Sequence, residues 1–223
     1  MLKKVLLCAR FPYTLHLNSI GKMGRIVTVS AFLIIAFLAI GAIFWRQELK
    51  YQLPTPVPTD YKTVAHGASI DRTLLPPASA YFLHFYNPDC PCSRFNARHV
   101  KSLIRQFHDR VSMYIVVPSS QALTQAQREF EGQNFIVDNT QAIAKACGVY
   151  ATPQAVIIDH EGKLFYRGNY NRARYCTAKA SNFAELSLVA LLNKQPSPAF
   201  GWMATQSYGC ELTDTDKNEI ELF

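Results

Sequence analysis

The sequence predicts a mixed α/β domain, with helices packed on one central sheet, carried behind a single membrane-spanning helix. Three observations predict it. Short apolar runs alternate with helical patterns between residues 80 and 147, the rhythm of strands that cross over through helices. Two further runs, 154–158 and 163–167, are separated by a tight turn sequence and read as a hairpin. Near the N-terminus, residues 26–45 hold no charged side chain, and a run of that length crosses a bilayer as a helix. With 223 residues and 49% hydrophobic content, the chain has material for one core of ordinary size plus appendages.

Residues 1–25 form a basic segment, carrying Lys3, Lys4, Arg10, Lys22 and Arg25 and no acidic residue. Beyond the span, Arg46 and Lys50 are balanced by Glu48 and Asp60. This asymmetry keeps the N-terminus in the cytoplasm. A start at Met23 would leave Arg25 as the only cation ahead of the span. The span ends in Phe44-Trp45-Arg46, an interfacial anchor pattern rather than a small-residue cleavage site, so residues 26–45 read as an uncleaved anchor. Residues 46–69 form a Pro-rich linker. Within it, Leu53-Pro-Thr-Pro-Val-Pro-Thr-Asp60 cannot continue a helix and suits an extended, stiff spacer. A plain anchor of this kind fits a bacterial inner membrane, which puts the following domain in the periplasm, where disulfides persist. Most of the formal net charge of +7 lies ahead of the span. The remainder is close to neutral, and nothing points to nucleic acid.

Within the domain, Ala80–Tyr86 reads as a strand that delivers Asn87-Pro88-Asp89-Cys90-Pro91-Cys92-Ser93 to a helix beginning near Ser93. Thiols at a helix N-terminus sit beside unpaired N–H groups and the positive end of the dipole, which favours the reactive thiolate. Arg94 and Arg98, in the first turns, add positive potential. Val111–Val117 reads as a buried strand ended by Pro118, Gln121–Phe130 as a helix, and Phe135–Asp138 as a short strand. Asn139–Cys147 follows as a helix, capped by Asn139 or Thr140 and stopped by Gly148. The hairpin turns through Asp159-His160-Glu161-Gly162, and Phe183–Leu192 is the final helix, followed by a poorly ordered tail, residues 196–223.

Six cysteines divide into Cys8 on the cytoplasmic side and five beyond the span, and five cannot all pair internally. Cys90 and Cys92 are close enough to bond. A Cys-X-Cys disulfide closes a ring of about eleven atoms whose strain makes it easily reduced. The same two thiolates suit Cu(I), and an inert buried pair is the plain alternative. Cys147, at a helix end, reads as a buried structural thiol or as a resolving partner for Cys90 or Cys92.

The order strand, Cys-containing loop, helix, strand, helix, then a Thr-Pro dipeptide opening a hairpin resembles the thioredoxin-like fold. Within it, the chain is most similar to the membrane-anchored redoxin or peroxiredoxin-like thiol–disulfide proteins, over residues 70–195. The motifs that carry the resemblance are Phe85-Tyr86-Asn87-Pro88-Asp89-Cys90-Pro91-Cys92 and Ala151-Thr152-Pro153 with the following Ile158-Asp159-His160-Glu161-Gly162. The resemblance implies that Pro153 is cis and lies against the active-site cysteines. Thr152 then presents its backbone to an incoming extended substrate as to an added strand, with Pro91 beside it. His84 falls where thioredoxins carry a buried carboxylate that moves the proton of the resolving thiol, and implies the same work for the imidazole provided burial does not drive its pKa too low. A Gly-Cys pair near the C-terminus, here Gly209-Cys210, also resembles these relatives. It favours a disulfide between Cys176 and Cys210 that pins the tail and contributes about 3 to 4 kcal/mol in the chain-entropy model. His99, His108 and His160 read as surface or helix-face residues.

Two departures matter. The cysteines are one residue apart rather than two, with Ser93 where the second would fall, so Cys92 either resolves a mixed disulfide formed at Cys90 or is itself the attacking thiol. Asn87 stands where the peroxidase relatives carry Thr or Ser, which weighs against direct peroxide reduction. The expected protein is a membrane-tethered periplasmic thiol–disulfide oxidoreductase in which Cys90 attacks, Cys92 resolves, His84 moves the proton, and Thr152, Pro153 and Pro91 hold the substrate. It needs no cofactor and no metal, acts on protein thiols or disulfides, and exchanges electrons with a thiol partner. A copper-delivery module and a thiol peroxidase are the other readings.

Overall fold

The structure, a computed structural model, describes residues 14–47, 53–172 and 178–212. The chain divides into two compact units, 1–50 and 51–223. The first contains α1 (Thr14–Gln47), whose stretch Gly21–Arg46 is long and apolar enough to cross a membrane. The helix is longer than the span 26–45, because no proline interrupts residues 14–25 or 46–47 on either side of it.

The second unit is built on β1 (Tyr81–Phe85), α2 (Pro91–Phe107), β2 (Ser112–Val117), α3 (Ser120–Glu129), β3 (Asn134–Val137) and α4 (Ala142–Cys147). There follow β4 (Ala151–Thr152), β5 (Gln154–Ile158), β6 (Leu164–Gly168), α5 (Phe183–Leu192), α6 (Trp202–Thr205) and β7 (Cys210–Glu211). Five strands form one sheet in the order β3-β2-β1-β5-β6. The pairs β1–β2 and β2–β3 are parallel, whereas β5 runs antiparallel to both β1 and β6. This is the thioredoxin-like mixed sheet that the resemblance implies.

Every residue of β1 is buried, as a central strand covered on both faces requires. Its alternation sorts two cores. Phe82 and Tyr86 join α2, α3 and α5 through Val100, Leu103, Phe107, Ala126 and Leu188, whereas Leu83 and Phe85 join α4 and the segment before β1 through Ile143, Val149, Ile70 and Leu75.

Two helix starts in this unit differ from the sequence expectation by more than one residue. α2 begins at Pro91, two residues earlier, since proline at the first helical position sacrifices only an N–H that has no partner there anyway. α4 begins at Ala142 because Gln141 is left-handed (φ 56°). Neither Asn139 nor Thr140 is the cap. Asp138 serves, its carboxylate accepting from the N–H groups of Ile143 (3.1 Å) and Ala144 (2.8 Å). Gly148 does end α4, at a φ of 68° that a side chain rarely adopts.

The linker and the tail also lie on the domain. Tyr61 donates to the Gly148 carbonyl (2.9 Å), and Ser69 bridges Lys163. In the tail, Phe200 packs on Tyr166 and Phe183, Asn169 donates to the carbonyls of Met203 and Gln206, and β7 pairs with β4. Residues 196–212 are therefore folded, not a loose appendage.

Candidate active site

Strand β1 ends at Phe85, and an Asx turn carries the chain into α2. Asn87 accepts from the Asp89 N–H through its side chain (3.0 Å) and from the Cys90 N–H through its carbonyl (3.1 Å). Its own N–H donates to the buried Ser93 hydroxyl (3.4 Å), and Arg94 donates to the Pro88 carbonyl (2.9 Å). These bonds fix Cys90 as the extended N-cap residue of α2, with Pro91 behind it as the first helical residue. Sulfur at that position meets the positive end of a helix.

Cys90 is bonded to Cys210, 120 residues away, with 5.9 Å between their Cα atoms. Two expected pairings are thereby corrected. Cys92 is not the partner of Cys90: a helix starting at Pro91 places Cys92 inside its first turn, whereas Cys90, in the extended N-cap conformation ahead of it, bonds to Cys210. Nor does Cys210 pair with Cys176, since its sulfur is already committed; Cys176 itself lies outside the described residues, as does Cys8.

The Thr152–Pro153 peptide bond is cis, and the carbonyl oxygen of Thr152 lies 3.4 Å from the Cys90 sulfur. Across from it runs the tail. Thr152 pairs with Cys210 and Ala151 with Glu211, and the Leu212 N–H donates to the Tyr150 carbonyl (3.0 Å). The opposite side of the tail is held by the linker. The Thr55 N–H donates to Ser207 O (2.9 Å) and its hydroxyl to Gly209 O (3.3 Å). Beneath it, the buried Gln154 amide donates to the Ser207 hydroxyl. Cys90, Pro91, Thr152, Pro153 and Cys210 thus meet at one place.

His84 lies on β1 beneath this end of α2, fully buried among the rings of Tyr86, Phe130 and Tyr170. Its Nδ1 is 2.7 Å from the Tyr170 hydroxyl, and its Nε2 has no partner. Burial pushes its pKa down to about 3, so the ring is neutral at ordinary pH. That is the condition under which the proton-shuttle role loses its support. His99 is not a plain surface residue, since it packs on Tyr170 (5.9 Å between rings) and burial lowers its pKa too. His108 is exposed beside Asp109, and His160 meets Ser79 on the surface. Burial pushes the pKa of the Cys147 thiol up to about 12, at the end of α4.

Sequence reasoning missed Cys210 as the partner of Cys90, Tyr170 as the partner of His84, and the paired work of Thr55, Gln154 and Ser207. The Gly-Cys dipeptide was the one signal for the first. The others have none, because each depends on which distant segments the fold brings together.

A family model described as Domain of unknown function (DUF6436) matches residues 62–211. The chain belongs to this family. The matched region of the family runs from the linker to Glu211 and so includes both Cys90 and Cys210. No curated protein matches. Solved structures similar to this family member include an uncharacterized conserved protein from Geobacillus kaustophilus, at 22% identity and a TM-score of 0.53, covering 60% of this chain and 77% of that one. A hypothetical protein from Sinorhizobium meliloti 1021 is similar at 17% identity and a TM-score of 0.54, covering 68% and 95%. The thioredoxin domain of a thiol-disulfide oxidoreductase from Bacteroides vulgatus aligns at 13% identity and a TM-score of 0.41, covering 47% and 89%.

Proposed function

We propose that the protein is a thiol–disulfide oxidoreductase, tethered to a bacterial inner membrane by α1 with its domain in the periplasm, and that Cys90 and Cys210 are its redox couple. The observation that carries this reading is the bond between Cys90, at the N-cap of α2, and Cys210, beside Thr152–Pro153. Reduced, Cys90 has its sulfur at a helix N-terminus, where the thiolate is favoured and nucleophilic. It attacks a substrate disulfide, forming a mixed disulfide and expelling one substrate thiolate. Cys210 then attacks the Cys90 sulfur, the Cys90–Cys210 bond forms, and the second substrate thiolate leaves. Two electrons pass from the cysteine pair to the substrate. The reverse sequence oxidises a dithiol, and the pair's potential against that of its compartment sets the direction. Protein thiols or disulfides are the substrates, and another thiol protein restores the couple.

Thr152, Pro153 and Pro91 bound the site as substrate-contacting residues. His84 stays in it as a neutral hydrogen-bonding ring beneath α2. Cys92 stays as a buried residue of the same helix turn, not as the resolving thiol.

The test is a redox titration of the full chain in graded glutathione buffers, with alkylation and peptide mass spectrometry to map the bonded cysteines. Cys90 and Cys210 should interconvert between thiols and one disulfide with a single midpoint. Cys210→Ser should abolish that transition and Cys92→Ser should leave it. A Cys90–Cys210 bond that no glutathione ratio opens would make the pair structural and end this reading.

A further inference from the structure

Residues 207–212 are an extended segment with backbone partners on both sides. On one side are Tyr150, Ala151 and Thr152, and on the other Thr55. Thr55 lies between Pro54 and Pro56, so its N–H is the only one those three residues possess, and it is spent on Ser207 O. Thr55 itself is buried. The linker therefore forms the second wall of a slot one strand wide, with the Thr152 edge as the first and Gln154 beneath.

The tail fits this slot imperfectly. Thr152 Oγ1 and Gln154 Oε1 are buried with no hydrogen-bond partner, in residues each only 1% exposed. Buried polar groups are ordinarily satisfied, and a hydroxyl and an amide oxygen left open on the residues that line one slot fit an occupant that brings polar groups the tail lacks. The tail also needs a special residue to fit at all. Gly209 has a φ of 148°, and a Cβ there would run into the Thr152 carbonyl.

From these observations we infer that the tail is a stand-in for substrate: the slot between Thr55 and Ala151–Thr152 takes an extended, cysteine-bearing polypeptide segment, which replaces residues 207–212 and sets its cysteine opposite Thr152, at the Cys90 sulfur. This deepens the oxidoreductase reading and rests on it. The edge at Thr152 is what the fold resemblance implies. The wall from the linker, and the competition between the chain's own tail and its substrate, are new. Exchange is strand for strand. The substrate strand enters as Cys90 takes its sulfur from a disulfide, expelling a thiolate, and the tail returns as Cys210 attacks Cys90 and releases the substrate thiolate. Because each wall pairs through backbone groups, the slot selects an extended polypeptide over a small disulfide.

The test uses the full chain with Cys210→Ser, so that Cys90 is reduced, and two activated disulfides. One is a peptide of sequence 206–212 whose cysteine carries thionitrobenzoate; the other is N-acetylcysteine amide carrying the same group. Thionitrobenzoate release gives the rates, and peptide mass spectrometry counts only adducts on Cys90. Gly209→Val, which undocks the tail, should raise the rate with the peptide at least tenfold over the rate with the small disulfide. Ser207→Glu, an independent way of undocking it, should do the same. Adding Thr55→Pro should then remove most of that preference. A peptide preference unmoved by both undocking variants, or undiminished by Thr55→Pro, overturns the slot and leaves the oxidoreductase reading standing. No adduct on Cys90 from either disulfide defeats both.

Discussion

At the scale of single residues, His84 is the sharpest case of environment deciding chemistry. Its ordinary pKa is near 6.5, and burial lowers it to about 3 in the folded protein. The unfolded chain therefore binds the proton first, and the folded state loses stability as the pH falls from about 6.5 toward 3. Where one more proton is bound in the unfolded state, the slope is roughly 1.4 kcal/mol per pH unit. The stability is fully present above pH ~6.5. Urea unfolding of the full chain at pH 7, 5.5 and 4 should show this loss in the parent and a shallower one in His84→Gln. An identical slope in both would mean that the ring does not remain neutral in the fold. Its partner gives a second prediction at constant pH. Tyr170→Phe removes the hydroxyl that meets Nδ1 and leaves both ring nitrogens buried without partners, which should cost about 1 to 3 kcal/mol in the same unfolding experiment. The position of His84 beneath the cysteine loop was legible from its count back to Cys90. The rings that enclose it were not, because Tyr170 and Phe130 arrive from segments far along the chain.

At the scale of elements, the legible parts are those whose signal is local and repeated. β1, β2 and the β5–β6 hairpin were readable because runs such as Phe82-Leu83-His84-Phe85 and Ala155-Val156-Ile157-Ile158 fill both faces of a sheet. The helix starts were less legible, because a cap is one residue's choice among several neighbours. The sequence places the start of α2 near Ser93, and its first residue is Pro91. Asp138 looked like the end of a strand and caps α4 across a left-handed Gln141. Its two bonds to buried N–H groups make a prediction at this scale. Asp138→Ala should lower the unfolding free energy by about 1 to 2 kcal/mol, and Asp138→Asn, which retains one acceptor oxygen, by less. Equal losses in the two variants would show that the carboxylate's charge, not the hydrogen bonds to α4, is what matters there. β4 and β7 were illegible altogether. Strands of two residues carry no period, and they exist only because the fold brings the tail to the Thr-Pro loop.

At the scale of the whole domain, the tail is the element that one disulfide ties to the start of α2. The bond from Cys90 to Cys210 closes a loop of 120 residues, which the chain-entropy model values at roughly 5 kcal/mol. Without it, the segment is held by a two-residue strand pair, the Leu212–Tyr150 bond, the two bonds from Thr55 and the Gln154–Ser207 contact. Each such bond contributes only about 1 kcal/mol net, and the pairing at β4 and β7 is far too short to stand alone. The reduced tail therefore opens at a free-energy cost well below that of unfolding the sheet, where β1 is buried on both faces. Local opening is what a protease reads when reclosing is fast. Limited digestion with chymotrypsin should consequently cut after Tyr208 many times faster in the reduced protein than in the oxidised one. Gly209→Val should cut fast even before reduction is complete, since its side chain conflicts with the Thr152 carbonyl in the docked position. Cleavage inside β1 or β5 should be slow in every case. If Tyr208 is cut at the same rate in both redox states, the tail stays seated without its disulfide, and the bond would lock a segment that backbone pairing already holds.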